Sequence, residues 1–585
     1  MKKRKLNKTG DTNAVQNETI LRLITTTGGG PVGVFPGSKC AHLVKSGGFG
    51  GRSRLPGQRC LFGLDILADA FPRPITLLTE YGKMFEKVIR SRLFMAAPAP
   101  FHSSKQYGFI PGKSAVDAIK RYLEIVQDSN TKYTASLFID ISGAFDNVWW
   151  PAMLKSLRRK HIPDYLVALI KSYVTDRSVE YTNGEITISK ECTKGCPQGS
   201  VLGPTLWNSV LDTFLTLPTG DGVDMVAYAD DIVIVVQANN RLELKQNLHS
   251  CMENLKNWAS LNKLKLSASK SKIMVNRSPP RCHNRDLNVK VDGKSLQTVK
   301  VMKYLGVHID HKLTFTPHIE KICEKARRII FALGRKTFTT WNIPIAESLH
   351  TIYRCCIIPI MAFGSEVWAH RLHITKIRTK LISIYGLASK LIIQGYRSVS
   401  NEAAGVIAGI PPLDLVLAQV NCKKVLRKVE ETHFLQQNLN RREFDNPSQI
   451  KEYLSLLVND HWQYRWENSQ KGRTTYAFIP TVPESPRHSF TRESTQTLTG
   501  HGNFQVHLHR IGKSSVEDCS TCNTKDDPLH RIRDCFQFRE ERAELILHFN
   551  GIVPQMEQLS AAPLHLLAAF AKDPGNLRTS PPPTP

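Results

Sequence analysis

Three carboxylates interrupt stretches that otherwise read as buried strands. MVAYADDIVIVV (225–236) carries Asp230 and Asp231 inside a β-branched run, and SLFIDI (136–141) carries Asp140 near the end of another. An unpaired carboxylate is costly to bury, so acids in such runs are paired, bind a metal or stand at a turn. A tight Asp-Asp turn with both acids solvated accounts for the first stretch alone. Two separate strands that each deliver an acid, in a strongly cationic chain, point further. Magnesium is held by one or two carboxylates plus substrate phosphates. Two such ions about 3.5–4 Å apart serve in-line phosphoryl transfer. Asp140 and Asp230 would bridge them, with Asp231 in support.

Between these acids lies KGCPQGSVLGPTLWNSVLDTF (194–214), where Gly195, Gly199 and Gly203 permit close backbone approach. Leu206, Val210 and Phe214 then recur at helical spacing. Such a turn can lie against a nucleotide or a template base, although an ordinary glycine-rich loop has the same composition. A second constellation is Cys519-x2-Cys522-x7-His530-x4-Cys535. Three thiolates and an imidazole form a closed tetrahedral set suited to structural zinc; the competing reading is loose thiols beside a surface histidine. Arg531, Arg533 and Arg539 surround it and LTGHGNFQVHLHR precedes it, which fits nucleic-acid contact or a solvated basic face.

The elements that must position these groups are partly legible. FPRPITLLTEYGKMFEKVIRSRL repeats Ile75, Leu78, Tyr81, Phe85, Val88, Ile89 and Leu93 every three or four residues, predicting an amphipathic helix. Ser114 is placed to cap a second helix with Val116, Ile119, Leu123 and Val126 on one stripe. Asn183-Gly184 sits between alternating runs in SVEYTNGEITISK, a hairpin signal. A helix through Leu248, Leu255 and Trp258 and a strand at KIMVN follow, and helical patterns dominate from about 318 to 440. Strands and helices alternate without a strict βαβ repeat, which predicts an α+β or mixed-sheet fold.

Composition limits the partners. Lys and Arg outnumber Asp and Glu 78 to 51 over 585 residues, a net charge of +27, and such an excess favours nucleic acid. The most apolar windows, such as IIPIMAF at 357–363, fall short of the roughly 20 residues that span a membrane, so no membrane partner is expected. Thirteen cysteines without a secretory leader predict reduced thiols, some on metal. Residues 28–62 are rich in Gly and Pro and read as linker, disorder or damaged sequence, and the Pro-rich ending NLRTSPPPTP reads as disorder.

Seven blocks in order, RPITLL (73–78), QYGFIPGKSAVDAI (106–119), FIDISGAFDNV (138–148), GCPQGSVLGP (195–204), YADD (228–231), LKLSASKSKIM (264–274) and YLGV (304–307), resemble those of reverse transcriptases. The pattern is similar to polymerases of non-LTR (LINE-type) retrotransposons. AFGSEVW (362–368) resembles the family's thumb. YRSVSNEAAGVIAGIPPLDL (396–415) and KGRTTYAFIP (471–480) resemble the clade that inserts into ribosomal DNA. The resemblance implies a right-hand polymerase with fingers and palm over 71–310, a thumb over 311–390, a helical linker region over 391–500 and a zinc module over 501–545. A leader (1–70) and a tail (546–585) flank them. It makes Asp140, Asp230 and Asp231 the ligands of two catalytic magnesium ions, and Cys519, Cys522, His530 and Cys535 those of a structural zinc. Arg73 and Lys270 would meet the triphosphate, Phe145 would exclude a 2′-hydroxyl, and Gln198 and Gly199 would line the nucleotide pocket. Tyr304, Leu305 and Gly306 would grip the primer.

The implied activity is extension of a DNA primer on an RNA template with deoxynucleoside triphosphates, as in target-primed reverse transcription. Nuclear residence follows, with synthesis and RNA binding in the cytoplasm; KKRK at 2–5 fits a nuclear-entry signal or a solvated tail. A viral RNA polymerase or a telomerase-like enzyme shares the palm. Tyr228-Ala229 before Asp230-Asp231, and Phe145 five positions after Asp140, favour DNA synthesis. No stretch resembles an endonuclease, and residues 28–70 do not resemble the fingers segment expected before Arg73. An N-terminally truncated chain is therefore expected, and a silent, nucleic-acid-binding remnant is the alternative function.

Overall fold

The computed structural model describes residues 41–42, 78–183, 186–280, 287–337, 345–484, 490–555 and 558–572. Arg73, most of the leader and the final segment 573–585 lie outside the described residues. Helix α1 (Glu80–Ala96) starts at Thr79, whose hydroxyl accepts from the Gly82 N–H at 3.2 Å. Only part of its expected apolar stripe is used. Ile89 and Leu93 are buried, whereas Tyr81, Phe85 and Val88 are 85%, 58% and 52% exposed. A carboxylate selects the inward face: buried Glu86 accepts from the Tyr173 hydroxyl at 2.6 Å and from the Val201 and Leu202 N–H groups at 2.6 and 3.1 Å. Helix α2 (Ala115–Gln127) follows the prediction. Ser114 and Asp117 form a reciprocal capping box, and Ile119, Leu123 and Val126 are buried.

The centre is a sheet ordered β7–β6–β1–β5–β4: β1 is Tyr133–Ile139, β4 Val223–Tyr228, β5 Asp231–Ala238, β6 Lys272–Arg277 and β7 Gln297–Thr298. Pairing is antiparallel except between β6 and β7, so the fold is α+β with a mixed sheet. Both faces are covered. Phe138, Val233, Val235 and Met274 join a core with α2 on one side. Leu137, Ile139, Ile232, Ile234 and Ile273 join a second core on the other, with α3 (Trp150–Arg159), α5 (Gly203–Leu215) and α6 (Arg241–Leu261). A strand's period of two sorts neighbours onto opposite faces, so double coverage produces the continuous apolar runs seen in the sequence.

Between α3 and α5 run α4 (Asp164–Val174) and the hairpin β2 (Ser178–Asn183) and β3 (Ile186–Glu191), paired Asn183 to Ile186 as its signal predicts; its tip lies outside the described residues. The hairpin β8 (Val301–Tyr304) and β9 (Val307–Asp310) turns through Leu305 and Gly306, with φ of 46° and 86°. Helices then dominate: α7 (Thr316–Thr337), α8 (Thr375–Ile392), α9 (Asn401–Ala408), α10 (Leu413–Val425), α11 (Pro447–Glu467), α12 (Arg473–Phe478) and α13 (Arg492–Thr499). The helical run expected to 440 is broken by a hairpin pairing Glu431–Phe434 with Gln437–Asn440. No glycine announces that turn, because Leu435 and Gln436 themselves take φ of 45° and 71°. Among the described residues no single helix is long and apolar enough to cross a membrane.

Candidate active site and metal centre

The register of β1 and β5 brings the three acids to one end of the sheet. Ile139 pairs with Ile232, so Asp140, one residue on, comes level with Asp231. Tyr228 pairs with Asp231 across a two-residue turn, Ala229-Asp230, in which Ala229 takes φ of 57°. A non-glycine residue in that region is uncommon and needs support. The support comes from 105–108, which lies along the free edge of β4: the Tyr107 N–H donates to Ala227 O at 2.8 Å and the Ala227 N–H to Lys105 O at 2.9 Å. Buried Gln106 accepts from the Ala229 and Gly108 N–H groups at 3.1 and 2.7 Å through one Oε1. A Cβ at Gly108 would stand 2.2 Å from the Ala229 nitrogen, so only glycine lets these backbones approach. Gln106 and Gly108 escaped the sequence reading as site residues; a polar residue beside a glycine in QYG was their only local signal.

Asp140 is held from behind, its N–H donating to Ser271 Oγ at 3.1 Å and its carbonyl accepting from the Ser267 N–H at 2.9 Å. One carboxylate oxygen, Oδ2, is buried without a hydrogen-bond partner, and the Lys270 ammonium stands 3.8 Å from it. An orphaned carboxylate oxygen beside two further acids at a strand end is a donor set that fits a hard divalent cation. Phe145, on the turn after Asp140, meets Phe109 edge-on at 5.9 Å and Trp207 at 6.0 Å. The loop 194–203 lies against the same turn: the Gly195 and Cys196 N–H groups donate to Val148 O and Phe145 O at 2.8 and 2.7 Å. Gln198 donates to Asp146 at 2.8 Å, and Gly199 takes φ of 94°.

Tyr304 stands apart from the surface. Its ring is buried against Phe138 and Tyr122 at 5.6 and 6.0 Å. Burial, with Asp231 adding, pushes its phenol well above the usual range. The hairpin therefore presents Leu305 and Gly306, with Tyr304 anchoring it. A second buried polar cluster also went unread. Asp212 pairs with Lys160 and accepts from the Ser103 N–H at 2.7 Å. Its members lie too far apart in sequence to show as a pattern.

The Cys/His cluster is local and closed. Donor atoms of Cys519, Cys522, His530 and Cys535 all lie within 4.8 Å of one another. Thr524 Oγ1 meets His530 Nδ1 at 3.1 Å, while Nε2 is buried without a partner, the arrangement a metal-bound imidazole requires. Burial opposes ionisation of Cys519, but the Thr521 and Cys522 N–H groups and His530 outweigh it and bring the thiol down to about 7. The group could hold a metal ion. Of its three neighbouring arginines, Arg531 is not available to nucleic acid. It is 1% exposed on α14 (Pro528–Arg533), donates twice to Asp526 at 2.7 Å and reaches the carbonyls of Asn503, Phe570 and Lys572. Its guanidinium lies over Phe504 and Phe538 at 4.6 and 5.1 Å. Arg533 and Arg539 are exposed, and Arg539 covers the exposed ring of Phe536 at 5.1 Å.

Residues 69–309 match the family model for reverse transcriptase (RNA-dependent DNA polymerase). The chain is 29% identical over 477 residues to the Pol polyprotein of the type-1 retrotransposable element R1 of Bradysia coprophila, covering 80% of this chain and 47% of that one. It is also 29% identical to the 115 kDa protein of element R1DM of Drosophila melanogaster, covering 79% and 45%. The chain thus spans about half the length of these relatives. A solved telomerase from Candida tropicalis, in complex with a telomeric RNA fragment, aligns over 63% of this chain and 56% of its own, at 11% identity and a TM-score of 0.30. That overlap is too slight to carry an argument.

Proposed function

We propose that this chain, which carries a reverse transcriptase domain and is related to the Pol proteins of R1 non-LTR retrotransposons, extends a DNA primer on an RNA template from deoxynucleoside triphosphates. The observation that carries the reading is the sheet end where Asp140, Asp230 and Asp231 converge around an orphaned carboxylate oxygen. These acids would hold two magnesium ions, which supply charge to the attacking 3′-hydroxyl and the departing pyrophosphate. Gln106 and Gly108 hold the turn that aims Asp230, so the acids need no rearrangement when substrate binds. Lys270, beside Asp140, is placed to offset charge on the triphosphate, a role Arg73 would share. Phe145 blocks the space a 2′-hydroxyl would need, Gln198 and Gly199 bound the nucleotide, and the Tyr304–Gly306 hairpin holds the primer end. Cys519, Cys522, His530 and Cys535 would bind zinc as a structural ion. Work on DNA at its insertion site puts the protein in the nucleus, after synthesis and RNA binding in the cytoplasm.

Primer extension on an RNA template with magnesium, beside an Asp230→Asn control, tests this. Extension that disappears in the control is the expected result. No extension from folded wild-type protein that still binds nucleic acid would leave the silent-remnant reading in its place.

A further inference from the structure

Two stretches that the polymerase chemistry leaves without a role, 396–415 and 471–480, meet in space. They form one wall of an open groove of about 1280 Å³ whose other walls come from α7, α8 and the segment 501–510. Arg327, Lys390, Arg397, Lys471, Arg473 and Arg510 line it, against the single carboxylate of Glu402. None of the six forms an ion pair among the described residues. On the same helices Lys321 and Arg328 pair with Glu324 at 3.1 and 2.9 Å, and Lys380 with Glu320 at 2.5 Å, whereas Lys325 and Lys376, outside the groove, form no ion pair among the described residues. Six cations outside any ion pair thus share one groove with a single carboxylate.

The groove is also a built shape. Gly472 takes φ of 72°, and a Cβ there would meet Ala403 Cβ at 2.9 Å, Ser400 Oγ at 3.0 Å and Trp466 at 3.1 Å. That close approach sets the 470–474 turn on the first turn of α9, where Ser400 caps the helix and its N-terminal end adds partial positive charge. The Arg473 guanidinium is fixed over Tyr476 at 4.1 Å and donates to Trp466 O at 2.7 Å. Phe331, 49% exposed on the opposite wall, offers an aromatic face. Cations spread along a groove with an aromatic on one side match a repeating anion with attached bases, better than one small phosphate. Arg327 stands eleven residues into α7, about 16 Å along the axis from the helix start that follows the β8–β9 hairpin. That is roughly the rise of five stacked nucleotides at about 3.4 Å each.

We propose that this groove holds the sugar–phosphate backbone of a nucleic-acid strand beyond the hairpin, a second contact separate from the acids. The proposal deepens the polymerase reading and rests on it for the source of the strand. The test uses the full chain and three labelled probes of about 25 nucleotides: single-stranded RNA, single-stranded DNA and an RNA–DNA duplex of one sequence. The charge-reversal set Arg397→Glu, Lys471→Glu and Arg510→Glu is compared with the milder set carrying Gln at the same positions. Lys256→Glu with Arg442→Glu, two paired cations elsewhere, serves as control. The expected result is at least about tenfold weaker binding for the reversal set, a smaller loss for the Gln set and no change in the control. The log–log salt slope should fall by about 2, as three lost phosphate contacts dictate. The probe that loses most identifies the occupant. Wild-type affinity and slope for all three probes in both sets would overturn the proposal. A chain that never extends primers but binds through these residues overturns the polymerase reading alone. One that extends primers while the groove sets bind normally overturns the groove alone.

Discussion

The sheet end and the Cys/His cluster are opposite ways of assembling a polar site. The first joins residues 90 positions apart, Asp140 and Asp230, through strand register, and it stays open to solvent. The second gathers four ligands between 519 and 535, buries three of them and closes. A site made by register inherits its precision from a large core that exists without it, so its acids are free to be costly. A site made locally has little core of its own and would depend on a bound ion and on buried links such as Arg531. The first should therefore lose function without losing fold, and the second should lose fold first.

The sharpest break of this contrast is Asp230→Asn. Extension should fall at least about a thousandfold, ~4 kcal/mol of transition-state stabilisation, with the melting temperature unchanged; a large drop in melting temperature would make the acids structural. Arg531→Leu should do the reverse. Leaving Asp526 buried and unpaired costs about 3–5 kcal/mol, so denaturant melts should show early unfolding of the C-terminal module, while extension of a short primer persists. Gly108→Ala sits between the two classes. The methyl must push the Tyr228–Ala229 backbone away, and a displaced Asp230 should slow extension about ten- to a hundredfold, with a stability loss of about 1–3 kcal/mol. Phe145→Val should leave deoxynucleotide incorporation near normal and relax exclusion of ribonucleotides by about tenfold or more, read by competing the two triphosphates.

The smallest effect is shared by the fold's halves. Burial first, then Lys160, pushes His102 down to about 4, and burial first, then His308, does the same to His318. Between about 6.5 and about 4 the unfolded chain takes up protons that the folded one refuses, so stability is complete above this window and declines as pH falls through it. Melting temperature should drop from pH 7 to pH 5, and His318→Leu should flatten that drop. A profile equally steep in the variant would assign it to other groups.

What the sequence disclosed follows the same contrast. Asp140 and Asp230 stood out because a carboxylate in an apolar run has few reasons to exist, and the Cys/His spacing is local by nature. Ser114 announced its helix for the same reason, and the Asp117 that completes its capping box lies only three residues on. Glu86, Asp212 and Gln106 were illegible because each takes partners more than 100 residues away. In α1 the apolar period was visible but its inward side was not, since Glu86 and its partners choose it while Tyr81 and Phe85 turn outward. Arg531 was misjudged because a basic residue beside a metal motif reads as surface, and its links to Asn503 and Phe570 are tertiary.

The measurement closest to the central claim is a manganese titration followed by electron paramagnetic resonance, with zinc content determined on the same protein. The account predicts divalent binding that is lost in Asp140→Asn with Asp230→Asn, while one zinc per chain remains in both proteins. Manganese binding unchanged in the double variant would contradict it, because the acids at the sheet end would then hold no metal.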